Sequence, residues 1–374
     1  NYVDFTVANH KPCRWLTGAP DYCGPQSYRP QADRLFHNRG DGTFEDASGR
    51  AGILGEIGSG LGVIGGDWNG DGWEDLYVAN DGMRNFLWLN QRDGTFRDEA
   101  LAAGCALNAE GRAEAGMGVV AGDFDGDGDE DLLVTHLALE TNTLYLNDGR
   151  GSFDDSSAAS GVGMASWAYT GFGNAWLDFD GDGWLDLLAV NGAVKIIPDL
   201  AAQGDPNPIH MPNQLFRNVG GQRLEEVSAT AGDVFGLSEV SRGVAAGDLD
   251  NDGDVDAVIT NNSGPVRLLV NRIGNRRPWL GLRLMAEKWP RDALGAWVRV
   301  LRQDHPPLWR RVRSGGSYLS ARDPRLTIGL GDSPQVARVE VRWPGGRSEI
   351  FEVEPGRYQT LREGEGRPAG EGDR

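Results

Sequence analysis

Four nine-residue loops in this chain place oxygen side chains at alternating positions, a spacing that suits the capture of a hard divalent cation. Positions 1, 3, 5 and 9 are Asp67, Asn69, Asp71 and Asp75 in the first loop and Asp123, Asp125, Asp127 and Asp131 in the second. The third has Asp178, Asp180, Asp182 and Asp186, and the fourth Asp248, Asp250, Asp252 and Asp256. Position 7 (Trp73, Asp129, Trp184, Asp254) offers a backbone carbonyl as a further ligand. Oxygen-only donors match Ca²⁺, which accepts six to eight of them at flexible geometry. Position 6 is Gly in every copy, which lets the chain turn sharply and aim both limbs inward. About four calcium sites are expected. Without a cation, four or five carboxylates drawn together would repel one another strongly.

The elements that hold these loops are strands. An EF-hand needs a bidentate Glu at position 12 and a helix on each side. Position 12 here is Val78, Val134, Ala189 or Ile259, each inside a short run rich in Val, Leu and Ile. Each loop lies in a longer unit that repeats every 55 to 70 residues or so. A Gly stands five residues before each first Asp (Gly62, Gly118, Gly173, Gly243). Further on come a strand ending in Asn (Asn90, Asn147, Asn218, Asn271) and, after most of these, a Gly-containing hairpin turn. Strand, loop, strand, connection, strand, turn, strand is the signature of a propeller blade, so an all-β propeller is predicted over 1–275.

Asn1 to Asp4 fits the end of a second strand, and Leu35 to Phe44 supplies the outer part of that unit. Five blades are therefore represented, the first only in part, and an upstream segment is expected to complete the propeller. From residue 276 to 362 the texture changes to short alternating apolar and polar runs bounded by Gly and Pro, which predicts a small β-sandwich or barrel. Residues 363–374 are Gly, Glu and Pro without an apolar anchor and are expected to be a disordered tail.

The net charge of −19 hides an asymmetry. Residues 1–275 hold 17 Lys and Arg against 42 Asp and Glu, whereas 276–362 hold 17 against 9. The basic second domain is thus expected to dock on the acidic first one, and nucleic-acid binding is not expected beside so acidic a neighbour. Cys13 and Cys23 lie in one loop and can pair, leaving Cys105 alone, and no zinc-type spacing is present. A disulfide and weak calcium sites suit a secreted, periplasmic or cell-surface location. No run is long and apolar enough to span a membrane.

The loops preceded by Gly, including Phe172-Gly173, resemble FG-GAP (VCBS-type) repeats such as those of the integrin α-chain propeller. Asp292-Ala-Leu-Gly295-Ala, Arg313-Ser-Gly-Gly-Ser-Tyr-Leu-Ser320, Leu330-Gly331 and Val341-Arg-Trp-Pro-Gly-Gly346 resemble the ASPIC/UnbV domain. Together they resemble the cartilage acidic protein family and its bacterial relatives. The resemblance implies a secreted calcium-binding propeller, seven-bladed in related proteins, with an appended β domain and no implied enzymatic activity.

Calcium loops and Gly turns fall on one face of such a propeller, and the irregular connections fall on the other. Long loops in a compact fold are often functional. Those here hold Trp15, Tyr22, Tyr28, Lys195 and His210, and the blade-to-blade connections add Glu110, Arg112, Glu114, Trp167 and Tyr169. Aromatics mixed with charge make a recognition surface for an extracellular protein or glycan. Trp73, Trp184 and Phe124 are expected to pack between blades. No Gly-x-Ser-x-Gly or His-Glu-x-x-His motif occurs, so a non-enzymatic scaffold or adhesion module is the first reading. The alternative is a calcium-dependent lyase or hydrolase acting on a sugar or small metabolite, with Glu110, Glu114, His210 and Lys195 as acid–base groups and Arg112 as an anion clamp.

Overall fold

The computed structural model describes residues 2–14, 18, 20–288, 292–303, 305–333 and 335–370. Three four-stranded antiparallel sheets follow one another, each in chain order from its innermost to its outermost strand. The first is Gly60–Gly66, Asp75–Asn80, Phe86–Asn90 and Phe96–Asp98; the second is Val119–Gly122, Asp131–Val134, Thr143–Asn147 and Phe153–Asp155. The third is Gly171–Leu177, Asp186–Asn191, Gln214–Asn218 and Leu224–Glu226. Ahead of them, Phe36–Asn38 pairs with Phe44–Asp46 as the outer half of a further blade. After them, Ser241–Gly247, Asp256–Asn261 and Arg267–Leu269 form three strands of a fourth sheet.

Alternation along these strands turns one set of side chains toward each neighbouring sheet, so the apolar clusters lie between blades. Tyr77, Leu87, Leu132, Val134 and Tyr145 fill the first of these seams. Phe124, Trp176, Leu187 and Phe216 fill the next, and Leu188, Val190, Val244 and Ile259 the third. Short helical turns such as Ala100–Ala103 and Val162–Ser166 occupy the blade-to-blade connections, and no long helix appears among the described residues.

The second domain is a two-sheet sandwich. Trp279–Met285 lies between Leu326–Gly329 and Tyr358–Arg362, and Trp297–Arg302 and Val336–Arg342 lead a five-stranded sheet opposite. Its core holds Leu280, Leu282, Val298, Val300, Ile328, Val339 and Trp343. The expected disordered tail is corrected in part. Arg367–Pro368 pairs with Glu349 and Ile350 as an edge strand, backbone pairing needing no apolar anchor, while 371–374 lie outside the described residues.

One loop of this domain enters the propeller. Ala321–Arg322 adds a parallel strand to the inner edge of Ser241–Gly247, and the segment before it reaches the inner strand of each blade in turn. Arg313 donates to the Gly65 carbonyl, Tyr318 packs on Phe172 with ring centroids 5.0 Å apart, and Val244 N–H donates to Ser320. The repeated inner-strand glycines make room for this. A Cβ on Gly118 would lie 2.0 Å from the Phe172 carbonyl and 2.3 Å from Ser317 Oγ; one on Gly243 would lie 2.1 Å from the Leu319 carbonyl.

Gly243→Ala therefore forces backbone apart where the loop crosses the inner strands. Differential scanning fluorimetry should show a loss of thermal midpoint of several degrees, whereas Gly24→Ala, with no atom within 4 Å, should change it little. Equal midpoints for the two variants would refute this packing.

Candidate metal loops and the domain clamp

Each loop is built around its last aspartate. Asp75, Asp131, Asp186 and Asp256 are buried, and each accepts two backbone N–H bonds. One comes from loop position 2 (Trp68, Phe124, Phe179, Leu249), the other from the Asn that ends the third strand (Asn90, Asn147, Asn218, Asn271). That Asn also reaches across the seam. Asn147 Nδ2 donates to the Trp68 carbonyl at 3.1 Å, Asn218 to that of Phe124 at 2.9 Å and Asn271 to that of Phe179 at 2.8 Å. The repeated Asn thus pins the metal loop of the preceding blade, a role its spacing showed only as a recurrence.

The remaining carboxylates converge. Carboxylate oxygens of Asp123, Asp125 and Asp127, of Asp178, Asp180 and Asp186, and of Asp248, Asp250 and Asp256 lie within 4.8 Å of one another. The first loop has Asn69 at position 3 and forms no such group of three among the described residues. Position 6 takes positive φ in all four copies: Gly72 +88°, Gly128 +103°, Gly183 +96° and Gly253 +98°. Burial, joined by neighbouring carboxylates, pushes Asp129 up to about 8 and Asp75, Asp123, Asp178 and Asp254 up to about 7. Asp178 Oδ1, buried, and Asp129 Oδ1 have no hydrogen-bond partner. The residues fit a hard cation. Oxygen donors converge on a point, charge accumulates there, and buried lone pairs are left unmet.

The basic domain covers this acidic face. Arg311 and Arg313 both pair with buried Glu130; burial alone would push that carboxyl up, but the two guanidiniums overcome it and hold the group below its ordinary range. Arg311 also reaches Glu74, and buried Arg310 donates to the Gly183 carbonyl at 2.8 Å. Arg325 reaches the Asp248 carbonyl and Asn251, and the Tyr358 hydroxyl donates to Asp248 at 2.8 Å. The docking expected from the charge asymmetry is therefore the observed arrangement.

Other sequence-selected residues fall as follows. Phe124 is buried between blades, and Trp184 packs against Gly126 of the preceding blade and Gly221 of its own. Trp73 is 46 % exposed, which corrects its placement in the core; it stands at the rim of the first loop, and its seam is filled by Trp68 instead. Cys13 and Cys23 form a disulfide with Cα atoms 5.2 Å apart, and Cys105 is free and buried. Trp15 lies outside the described residues. Tyr22 is 91 % exposed, Glu110, Arg112, Trp167 and Lys195 are exposed, and Tyr28 and Tyr169 are half-buried. Glu114 bonds Thr143 and lies 3.9 Å from His136, His210 sits in the field of Glu239, and Lys195 in that of Asp81. His136 stands where the other repeats have Asn80, Asn191 and Asn261.

Comparison with known proteins agrees with this organisation. The FG-GAP-like repeat model matches residues 17–78, 67–134 and 137–189, and the ASPIC and UnbV model matches 286–368. Cartilage acidic protein 1 of Homo sapiens is 28% identical over 349 residues, covering 89% of this chain and 48% of that protein. The Xenopus tropicalis protein is 28% identical over 306 residues, covering 77% and 42%. The chain spans about half the length of the curated relatives it matches. A solved Agrocybe aegerita lectin specific for non-reducing terminal N-acetylglucosamine is 13% identical at a TM-score of 0.41, covering 91% of this chain and 87% of that one, too slight a likeness to bear on the fold or function.

His136 supplies a pH dependence. Burial is the largest cause that pushes the imidazole down, to about 4, with Glu140 opposing. Below about 6.5 the unfolded chain takes up a proton that the folded one refuses, so stability falls as pH drops from 6.5 toward 4. The full penalty is about 3 kcal/mol. His136→Asn should gain midpoint over the parent progressively across that window and show no such trend above pH 7. Parallel pH–midpoint curves would refute it.

Proposed function

We propose that this chain, which carries FG-GAP-like repeats followed by an ASPIC and UnbV domain, is an extracytoplasmic calcium-binding propeller. It serves as a scaffold or recognition module for protein or glycan. The observation that carries the reading is the convergence of carboxylate oxygens in three of the four repeated loops, with unmet buried lone pairs on Asp129, Asp178 and Asp254. A bound Ca²⁺ supplies charge neutralisation and fixes the loop. The side chains that would hold it are those at positions 1, 3, 5 and 9 of each loop, with position 7 carbonyls as further ligands. The fourth repeat lies beyond the segments matched by the repeat model, yet it keeps the same aspartates and the same Asn bond to its neighbour.

The loop-rich face opposite the metal loops is the surface assigned to the partner. It carries Tyr22, Glu110, Arg112, Trp167 and Lys195 in exposed positions, and the disulfide stiffens its first insertion. The disulfide and the need for a calcium-rich medium support an extracytoplasmic location. No helix among the described residues is long and apolar enough to cross a membrane. The scaffold reading is put first because the repeated loops account for the acidic clusters as structural cation sites.

Calorimetric titration of the chelated chain with CaCl₂ should give a stoichiometry of about four, and Asp127→Ala should remove one of these. At a hundred times Kd, each occupied site adds about 2.7 kcal/mol to the native state, so EDTA should lower the thermal midpoint markedly. No heat of binding together with a midpoint indifferent to EDTA would overturn the calcium assignment.

A further inference from the structure

The second domain does not treat the four metal loops alike. Over the third and fourth it sits in direct contact: Gly329 N–H donates to Asp178 at 3.1 Å and the Tyr358 hydroxyl to Asp248 at 2.8 Å. Over the first and second it is anchored by Arg311 and Arg313 on Glu74 and Glu130, and beside these anchors it leaves a cleft of about 610 Å³. Asp67, Gly70, Asp127 and Asp129 line the propeller side, and Trp297, Arg299, Trp309 and Arg342 the other. An adjoining cavity of about 720 Å³ shares Asp67, Trp297 and Arg342 and runs on past Trp73.

We propose that this interdomain cleft is a binding site for an acidic saccharide, a sugar unit bearing a carboxylate. The walls divide the work such a ligand requires. Trp309, half-buried and backed by the buried Trp297 at 84° with centroids 6.3 Å apart, offers the aromatic surface against which the C–H face of a pyranose packs. Arg299 lies 5.0 Å from the Trp309 ring centroid and is held by a single 3.5 Å contact to Glu340, its Nε having no partner. Arg342 is 48% exposed, and its contact to Asp67 is no closer than 3.7 Å. Two guanidiniums so weakly committed offer a planar fork to a carboxylate. Glu340 on the same wall and Asp127 across the cleft present acceptors for sugar hydroxyls.

Size and place agree with this use. Small-molecule sites are clefts of roughly 300–1,000 Å³ that favour domain interfaces and combine aromatic walls with a few polar groups. The site is separate from the loop-rich face and stands or falls without it.

Calorimetric titration of the calcium-replete chain with cellobiuronate, and with cellobiose as the neutral arm, tests the proposal. Cellobiuronate should bind with Kd at or below about 1 mM and cellobiose at least about tenfold more weakly. Arg342→Ala should weaken the acid at least about tenfold while leaving cellobiose and the thermal midpoint little changed. Ser348→Trp, which fills the cleft from its exposed rim, should abolish both. Absence of heat with either sugar, equal affinity for the two, or binding that survives Ser348→Trp would overturn the assignment.

Discussion

Carboxylate repulsion on one face of the propeller is the constraint that organises this molecule. Strands one and two of each blade are joined by a loop that must bring several aspartates together, and all four loops open the same way. Burial compounds the problem by pushing those groups far above their ordinary range. The chain meets it with three kinds of positive or donor groups. Backbone N–H pairs hold each last aspartate, arginines of the blades lean in (Arg92 on Asp71, Arg217 on Asp180), and the basic second domain lies over the whole face. A cation in the loops, as proposed, would be the fourth, and would answer the unpartnered oxygens.

Most of this architecture is legible in the sequence because it repeats. A loop seen four times at fixed spacing fixes its neighbours: the Gly before it, the apolar strand after it and the Asn beyond. Charge asymmetry also read correctly, since a run of +8 beside one of −25 has a plain electrostatic resting place. Features without a repeat were not readable. The loop from Arg313 to Asp323 enters the propeller through contacts that are single and long-range, and no periodicity marks them. Trp73 was misplaced because a Trp near a repeated loop looks like core, whereas Trp68 already fills that seam. The edge strand Arg367–Pro368 escaped notice because pairing through backbone needs no hydrophobic pattern.

The glycines show how one recurring residue serves two ends. At position 6 of each loop Gly supplies a positive φ that a side chain would resist. There it also admits the second domain: a Cβ on Gly128 would lie 2.9 Å from Trp309 and one on Gly253 2.0 Å from Trp279. The inner-strand Gly has ordinary φ, and its need is for space alone. The same sequence mark therefore answers backbone conformation at one station and close approach at the other, a distinction that spacing cannot make.

Domain docking and metal capture are consequently not independent. Glu130 directly precedes the last aspartate of the second loop, so the side chain that anchors Arg311 and Arg313 is fixed by the same strand that carries Asp131. Loss of order in that loop would release two arginines whose partner is 4% exposed, and an unpaired charge in such a place is far costlier than the pair is stabilising. The reverse also holds. Undocking would return Asp178 and Asp248 to solvent by removing Gly329 and Tyr358 from them, while Asp127, exposed already, would change least. Both halves of the acidic face are thus tied to the second domain, the first through Glu74 and Glu130 and the second through Asp178 and Asp248.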